Sequence, residues 1–343
     1  MAIPIFRGLS GPLYYSLDRR ISVPKKSRLL SSASSQLNPL QSGSEVSFRV
    51  GTHLIPHPSK VVYYFYTLLV MWLELTFGEV NIMSFHDYIY FQVLVFVKVD
   101  RGGEDAFLVS SYNGGVIAVA DGVSGWAEQN VDSSLFSREL MTNASYLVED
   151  EEVNYDPQIL IQKAHTAMSS IGSATVIVAM LERNGILKIA NIGDCGLRII
   201  REGQIIFSSS PQEHYFDCPY QLSSEAVGQT YLDAMVTCIE LTEGDTIVMG
   251  SDGLFDNVFD HEIVSMMAKF SDVAETAKAL ANLARNHSMD SNFDSPYSME
   301  ARAKGFDVPL WKKILGLKLT GGKLDDITVI VGQVVSSGDT LIS

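Results

Sequence analysis

Four short acidic motifs, spread over more than 200 residues, constrain this chain more than any other feature. They read Gly102-Gly103-Glu104-Asp105, Ala120-Asp121-Gly122, Gly250-Ser251-Asp252-Gly253 and Lys323-Leu324-Asp325-Asp326. Apolar runs such as Val116–Ala120, Thr246–Met249 and Ile327–Val331 border them. Their length and β-branched content predict buried strands. A carboxylate at the end of a buried strand is held rigidly, and a neighbouring Gly lets the backbone approach closely. If several such carboxylates converge they repel one another and need cations between them. Oxygen-only ligands suit Mg²⁺ or Mn²⁺ rather than zinc.

A chain of 343 residues has room for one large domain or two small ones. Its apolar content, 46%, is ample for a core. A formal charge of −15 argues against nucleic acid as a partner. Cys195, Cys218 and Cys238 show neither zinc spacing nor a disulfide framework, which fits a reducing compartment. Cys195 directly follows Asp194; a small buried residue is the simpler reading and a redox role the alternative. The first 50 residues differ from the rest. They hold Arg7, Arg19, Arg20, Lys25, Lys26, Arg28 and Arg49 against Asp18 and Glu45, with 11 Ser. Such a basic, Ser-rich, acid-poor start predicts an organelle transit peptide over about residues 1–45. An ordinary disordered tail is the alternative, and composition does not choose between chloroplast and mitochondrion.

Strands are expected at Val46–His53, Phe107–Ser110, Gly115–Ala120, Ala174–Met180, Leu187–Asn191, Gly196–Arg201, Gln204–Phe207, Met235–Leu241, Thr246–Met249 and Ile327–Val335. Asn113-Gly114 and Asn184-Gly185 mark hairpin turns. Helices are expected over Ser133–Val148, from Asp156-Pro157 to about Ser169, over Asp260–Phe270 and over Asp272–His287. Strand runs interrupted by helix pairs fit an α+β layer plan.

The order and wording of the motifs resemble the metal-dependent PPM family of protein serine/threonine phosphatases, the type 2C class. The likeness runs from Gly102 to about Val335 and includes Gly172-Ser173-Ala174-Thr175 and Ala190-Asn191-Ile192-Gly193-Asp194. Ala120–Trp126 and Gln212–Leu222 further resemble a compact organellar subgroup with plant chloroplast members. The resemblance implies a β-sandwich of two antiparallel sheets flanked by helices on both faces, in α-β-β-α layers, within a phosphatase domain over 46–338. It implies two Mg²⁺ or Mn²⁺ ions and an activated water. Asp121 would bridge the metals, with Asp105, Asp252 and Asp325 as further ligands, Glu104 acting directly or through water, and the Gly122 carbonyl completing one site. Asp121 and Asp252 would carry the catalysis. The implied substrates are phosphoproteins, in particular thylakoid photosystem II core proteins, and the implied location is the chloroplast stroma or thylakoid surface. A catalytically impaired binding protein is the alternative.

The chain departs from the family pattern in places. Val123 stands where many members carry a His, Ser169 where many carry a third-metal Asp, and Asp326 where Asn is usual. Arg101 is one residue out of register with a phosphate-gripping Arg. His214 is a candidate replacement acid, with a hydrogen-bonded loop His as the plainer reading. Asp194 reads as support for a ligand, and Asp256 as structural. Arg302, Lys304, Lys312, Lys313, Lys318 and Lys323 make a basic stretch that reads as a solvated face or as a steering surface for anionic partners.

An apolar insert over 61–100 interrupts the pattern, where the subgroup passes almost directly from Ile55-Pro56-His57-Pro58 to Gly-Gly-Glu-Asp. Its 13-residue run Val61–Leu73 is shorter than the roughly 20 residues a spanning helix needs, so no transmembrane span is expected. A membrane anchor, a genuine hairpin and retained non-coding sequence are the three readings. The lack of helical periodicity and turn signals favours the last.

Overall fold

The computed structural model describes residues 45–58, 103–225, 228–309, 313 and 316–336. Residues 1–44 of the expected transit peptide, the whole of the apolar insert over 61–100, Arg101 and Lys312 lie outside the described residues. Contacts divide the chain into Met1–Ser42 and Gly43–Ser343, and every described residue belongs to the second unit.

Two antiparallel sheets carry the fold. The first runs β1 (Val46–Ile55), β13 (Ile327–Ser336), β12 (Thr246–Gly250), β6 (Gly196–Arg201) and β7 (Gln204–Ser208) in that spatial order. The second runs β11 (Met235–Glu240), β5 (Ile186–Ile192), β4 (Ser173–Leu181), β3 (Val116–Gly122) and β2 (Asp105–Ser110), with β10 (Leu222–Ser223) joined to β4. A separate hairpin pairs β8 (Glu213–Tyr215) with β9 (Cys218–Pro219).

Strand alternation explains why the apolar runs are continuous. Val116, Ala118 and Ala120 pack outward against helices, while Ile117 and Val119 pack inward between the sheets. β12 and β13 do the same: Ile247, Met249, Ile330 and Val334 face the other sheet, and Val248, Val329 and Val331 face a helix. Strands buried on both faces lose the polar alternation of a half-exposed strand.

Helix α1 (Ser133–Leu147) begins at Asp132, whose carboxylate accepts from Ser134 N. Phe136, Leu140 and Ala144, spaced four apart, bury one stripe against the second sheet. Asp156 caps α2 (Pro157–Thr166) by accepting from Gln158 N and Ile159 N. A short helix α3 (Asp252–Phe255) follows β12, and α4 spans Asp260–Lys269. Asp272 caps α5 (Val273–Met289) through Ala274 N and Glu275 N. The apolar stripe of α5, with Ala277, Leu280, Ala281 and Ala284, covers the outer face of β13. Helix α6 (Pro296–Ala303) completes the set among the described residues. The architecture is the expected helix–sheet–sheet–helix sandwich, and no described helix is long and apolar enough to cross a membrane.

Candidate metal centre

The acidic motifs meet at one end of the sandwich. In the β2–β3 register Asp105 stands opposite Asp121, and on the other side of β3 Asp121 stands opposite Thr175. The first sheet supplies Asp252, just past β12, and Asp325, just before β13. Hydroxyls join the two sheets there. Ser251 Oγ and Thr328 Oγ1 donate to Asp105 Oδ2 at 2.8 and 2.6 Å, and Ser251 Oγ in turn accepts from Thr328 N at 3.1 Å.

Both Asp-Gly pairs reflect close packing. A Cβ on Gly122 would lie 2.7 Å from Ser133 O and 2.9 Å from Glu104 O, and one on Gly253 would lie 2.0 Å from Asp326 O. Larger residues would push the neighbouring backbone away and open the centre.

The electrostatics reports a crowd of like charges. Burial and the charges of Asp326 and Asp325 hold the Asp105 carboxyl well above the usual range, against the Ser251 and Thr328 hydrogen bonds that lower it. Burial, then Asp105, Asp252, Asp325 and Asp194, raise Asp121 in the same direction. Burial and Asp252 raise Asp194. Asp256 is pushed up to about 7 by burial and Asp252, and Asp325 to about 7 by burial and Asp252. Two fully enclosed carboxylate oxygens, Asp105 Oδ1 and Asp252 Oδ1, have no hydrogen-bond partner. A buried anion without a partner is costly, and divalent cations are the partners an all-oxygen set accepts. Among the described residues no three His, Cys, Asp or Glu side chains are already gathered as a complete ligand group.

The expected ligands therefore divide. Asp105, Asp121, Asp252 and Asp325 interact as one cluster, joined by Asp194. Glu104 is placed by its backbone: its N donates to Asp326 Oδ2 at 2.7 Å, and its O accepts from Gly122 N at 3.1 Å and from Ser137 Oγ. Asp326 does work the sequence did not reveal. Its Oδ1 accepts from His57 N at 2.6 Å, so one carboxylate holds both backbone segments flanking the apolar insert.

Other candidates take plainer roles. His214 Nε2 lies 3.2 Å from Gln229 Nε2, and its ring packs on that of Tyr220. Cys195 is buried against Thr175 Oγ1, and burial pushes its thiol up, which suits a packed residue rather than a redox one. The described cations of the basic stretch sit against carboxylates of the same chain. Arg302 pairs with Asp294, Lys304 with Glu213 and Glu300, Lys313 with Asp307, and Lys318 with Asp294. Phe216, at the tip of the β8–β9 hairpin, stacks on Tyr297 of α6 and on Phe306. A cleft of 230 Å³ opens between that hairpin and the cluster, lined by Asp194, Asp217, Asp252, Asp256 and Lys323.

No family model matches the chain. Its relatives are informative. "Probable protein phosphatase 2C 26" of Arabidopsis thaliana is 58% identical over 340 residues, covering 98% of this chain and 100% of that protein. "Probable protein phosphatase 2C 1" of Oryza sativa subsp. japonica is 58% identical over 301 residues, covering 88% of this chain and 80% of that protein. A solved structure described as the photosystem II phosphatase PBCP is 57% identical, covers 84% of this chain and 98% of its own, and superposes with a TM-score of 0.70. The two-sheet sandwich flanked by helices is the fold of the PPM phosphatases. The chain belongs to the protein phosphatase 2C family and is a protein serine/threonine phosphatase.

Proposed function

We propose that this phosphatase hydrolyses phosphothreonine and phosphoserine in photosystem II core phosphoproteins with two Mg²⁺ or Mn²⁺ ions, within the chloroplast. The observation that carries the metal reading is the pair of buried, unpartnered oxygens, Asp105 Oδ1 and Asp252 Oδ1, where several aspartates crowd together and burial with neighbouring charge raises Asp105 and Asp121. Asp121, Asp105, Asp252 and Asp325, with Glu104 and the Gly122 carbonyl, would hold the ions. Such a pair supplies an acidified water and stabilises charge on the transferring phosphoryl group. The chain's own part is to hold its carboxylates in place. Ser251 and Thr328 fix Asp105 through one oxygen and leave the other free. Asp326 fixes the Glu104 backbone. Loss of all activity on chelation, with recovery on adding Mn²⁺ or Mg²⁺, is the expected result with a phosphothreonine peptide. Full turnover in a sample shown metal-free by elemental analysis would defeat the reading.

The substrate and location are supported by the 57% identity to the solved photosystem II phosphatase and by the basic, Ser-rich start. A fluorescent reporter carrying residues 1–50 is expected in chloroplasts, and a cytosolic reporter would refute that part. Among thylakoid phosphoproteins, core proteins are expected to lose phosphate first.

A further inference from the structure

Lys323 stands where the acidic cluster meets the β8–β9 hairpin. Its backbone is fixed by the buried side chain of Asn257, which accepts from Lys323 N at 2.9 Å and donates to Lys323 O at 2.8 Å. Its Nζ lies 2.6 Å from Asp252 Oδ2, 3.0 Å from Asp217 Oδ1, 3.2 Å from Asp256 Oδ2 and 4.0 Å from Asp325 Oδ2. The Tyr297 ring lies beneath it at 5.5 Å. Asp252 thus offers Oδ2 to a lysine and keeps Oδ1 buried and unpartnered. Asp217 belongs to the turn between β8 and β9, and Tyr297 Oη also reaches it, at 3.4 Å.

We propose that Lys323 is the resident counter-cation of the metal centre and a positioning residue: it holds Asp252 by one oxygen, leaves the other for a divalent ion, and ties the β8–β9 hairpin to the same point through Asp217. The metal half of this rests on the two-ion reading above. Ammonium and divalent ion share Asp252 and repel each other, so Lys323 keeps the carboxylates assembled at the expense of metal affinity. A catalytic centre and the wall of its cleft then respond to one side chain.

The test uses the full chain and two readouts: Mn²⁺ binding, followed by the electron paramagnetic resonance of free Mn²⁺, and hydrogen exchange of the amides of Glu213–Cys218. Lys323→Met is expected to tighten Mn²⁺ binding about tenfold, because a buried like charge a few ångströms away is removed. Exchange in the hairpin is expected to rise about tenfold as its tether is cut. Lys323→Arg, which keeps the charge, restores both readouts toward wild type. Asp217→Asn raises exchange while leaving Mn²⁺ binding within about twofold, since it cuts only the hairpin arm. Unchanged or weaker Mn²⁺ binding in Lys323→Met, beside a wild type that binds, overturns the counter-cation role. Unchanged exchange in Lys323→Met or Asp217→Asn overturns the tether. A wild type that binds no Mn²⁺ overturns the two-ion reading and with it the counter-cation role, and the exchange measurement still decides the tether. Should Lys323→Met fail to fold, Lys323→Gln carries the same comparison.

Discussion

Asp121→Asn is expected to reduce kcat on the order of a thousandfold while leaving the fold intact. A factor of that size corresponds to about 4 kcal/mol of transition-state stabilisation, the scale on which removing a metal-holding charge acts. The substitution conserves shape, and β3 is held in the sheet by its backbone ladder to β2 and β4. What changes is charge at the point where Asp105, Asp252, Asp325 and Asp194 all act on the same carboxyl. Removing one negative charge relieves repulsion, so the metal-free variant is expected to melt at or slightly above the wild-type temperature. Activity and stability therefore move in opposite directions. Asp252→Asn should behave alike in turnover. Turnover near wild type at saturating Mn²⁺ would sink the assignment of Asp121; a collapse in melting temperature would show that its role is structural.

Asp326→Ala should damage stability more than Asp325→Ala, although the two residues are adjacent and chemically identical. Asp326 is 1% exposed and accepts from His57 N and Glu104 N at 2.6 and 2.7 Å. Alanine leaves both N–H groups without that acceptor, at about 1–3 kcal/mol apiece before relaxation. A loss of roughly 3 kcal/mol in urea unfolding, with an unchanged slope, is the expected outcome. Activity should fall too, because Glu104 and Asp105 are consecutive and a loosened Glu104 backbone moves the carboxylate next to it. Asp326→Asn presents a single acceptor oxygen to two donors and should fall between. Asp325→Ala, whose side chain accepts only from Asp326 N among described hydrogen bonds, should lose metal binding with little change in the urea midpoint. Equal midpoints for Asp326→Ala and wild type would remove the clamp from the account.

Much of this was legible in the sequence because strands buried on both faces write themselves as continuous apolar runs. Val116–Ala120 and Thr246–Met249 therefore announced β3 and β12, and the acidic pairs at their ends marked the site. Asp132 before α1 went unread, whereas Asp156-Pro157 declared α2 through a local cap. The short strands β8, β9 and β10 left no trace: two or three residues carry no period, and partners such as Glu213 and Pro219 only become neighbours through the hairpin. Lys323 and Asp326 were hidden for a different reason. Their partners lie 71, 106, 222 and 269 positions away, so the run of cations assigned Lys323 to a basic face, and the family resemblance marked Asp326 only as standing where Asn is usual. Cations counted along the chain say nothing about which carboxylates fold onto them.

The Asp326 clamp has a consequence for the length of the protein itself. Because His57 N and Glu104 N are gripped by the two oxygens of one carboxylate, these two points of the chain stand side by side like the posts of one doorway. The separation of the two doorposts is set by Asp326, on β13's approach, and not by what is strung between them. Lengthening a connection whose ends are already anchored costs only about 0.6 kcal/mol per doubling. Gain or loss of coding sequence between His57 and Glu104 is therefore expected to leave the pairing of β1 with β13 and of β2 with β3 in register.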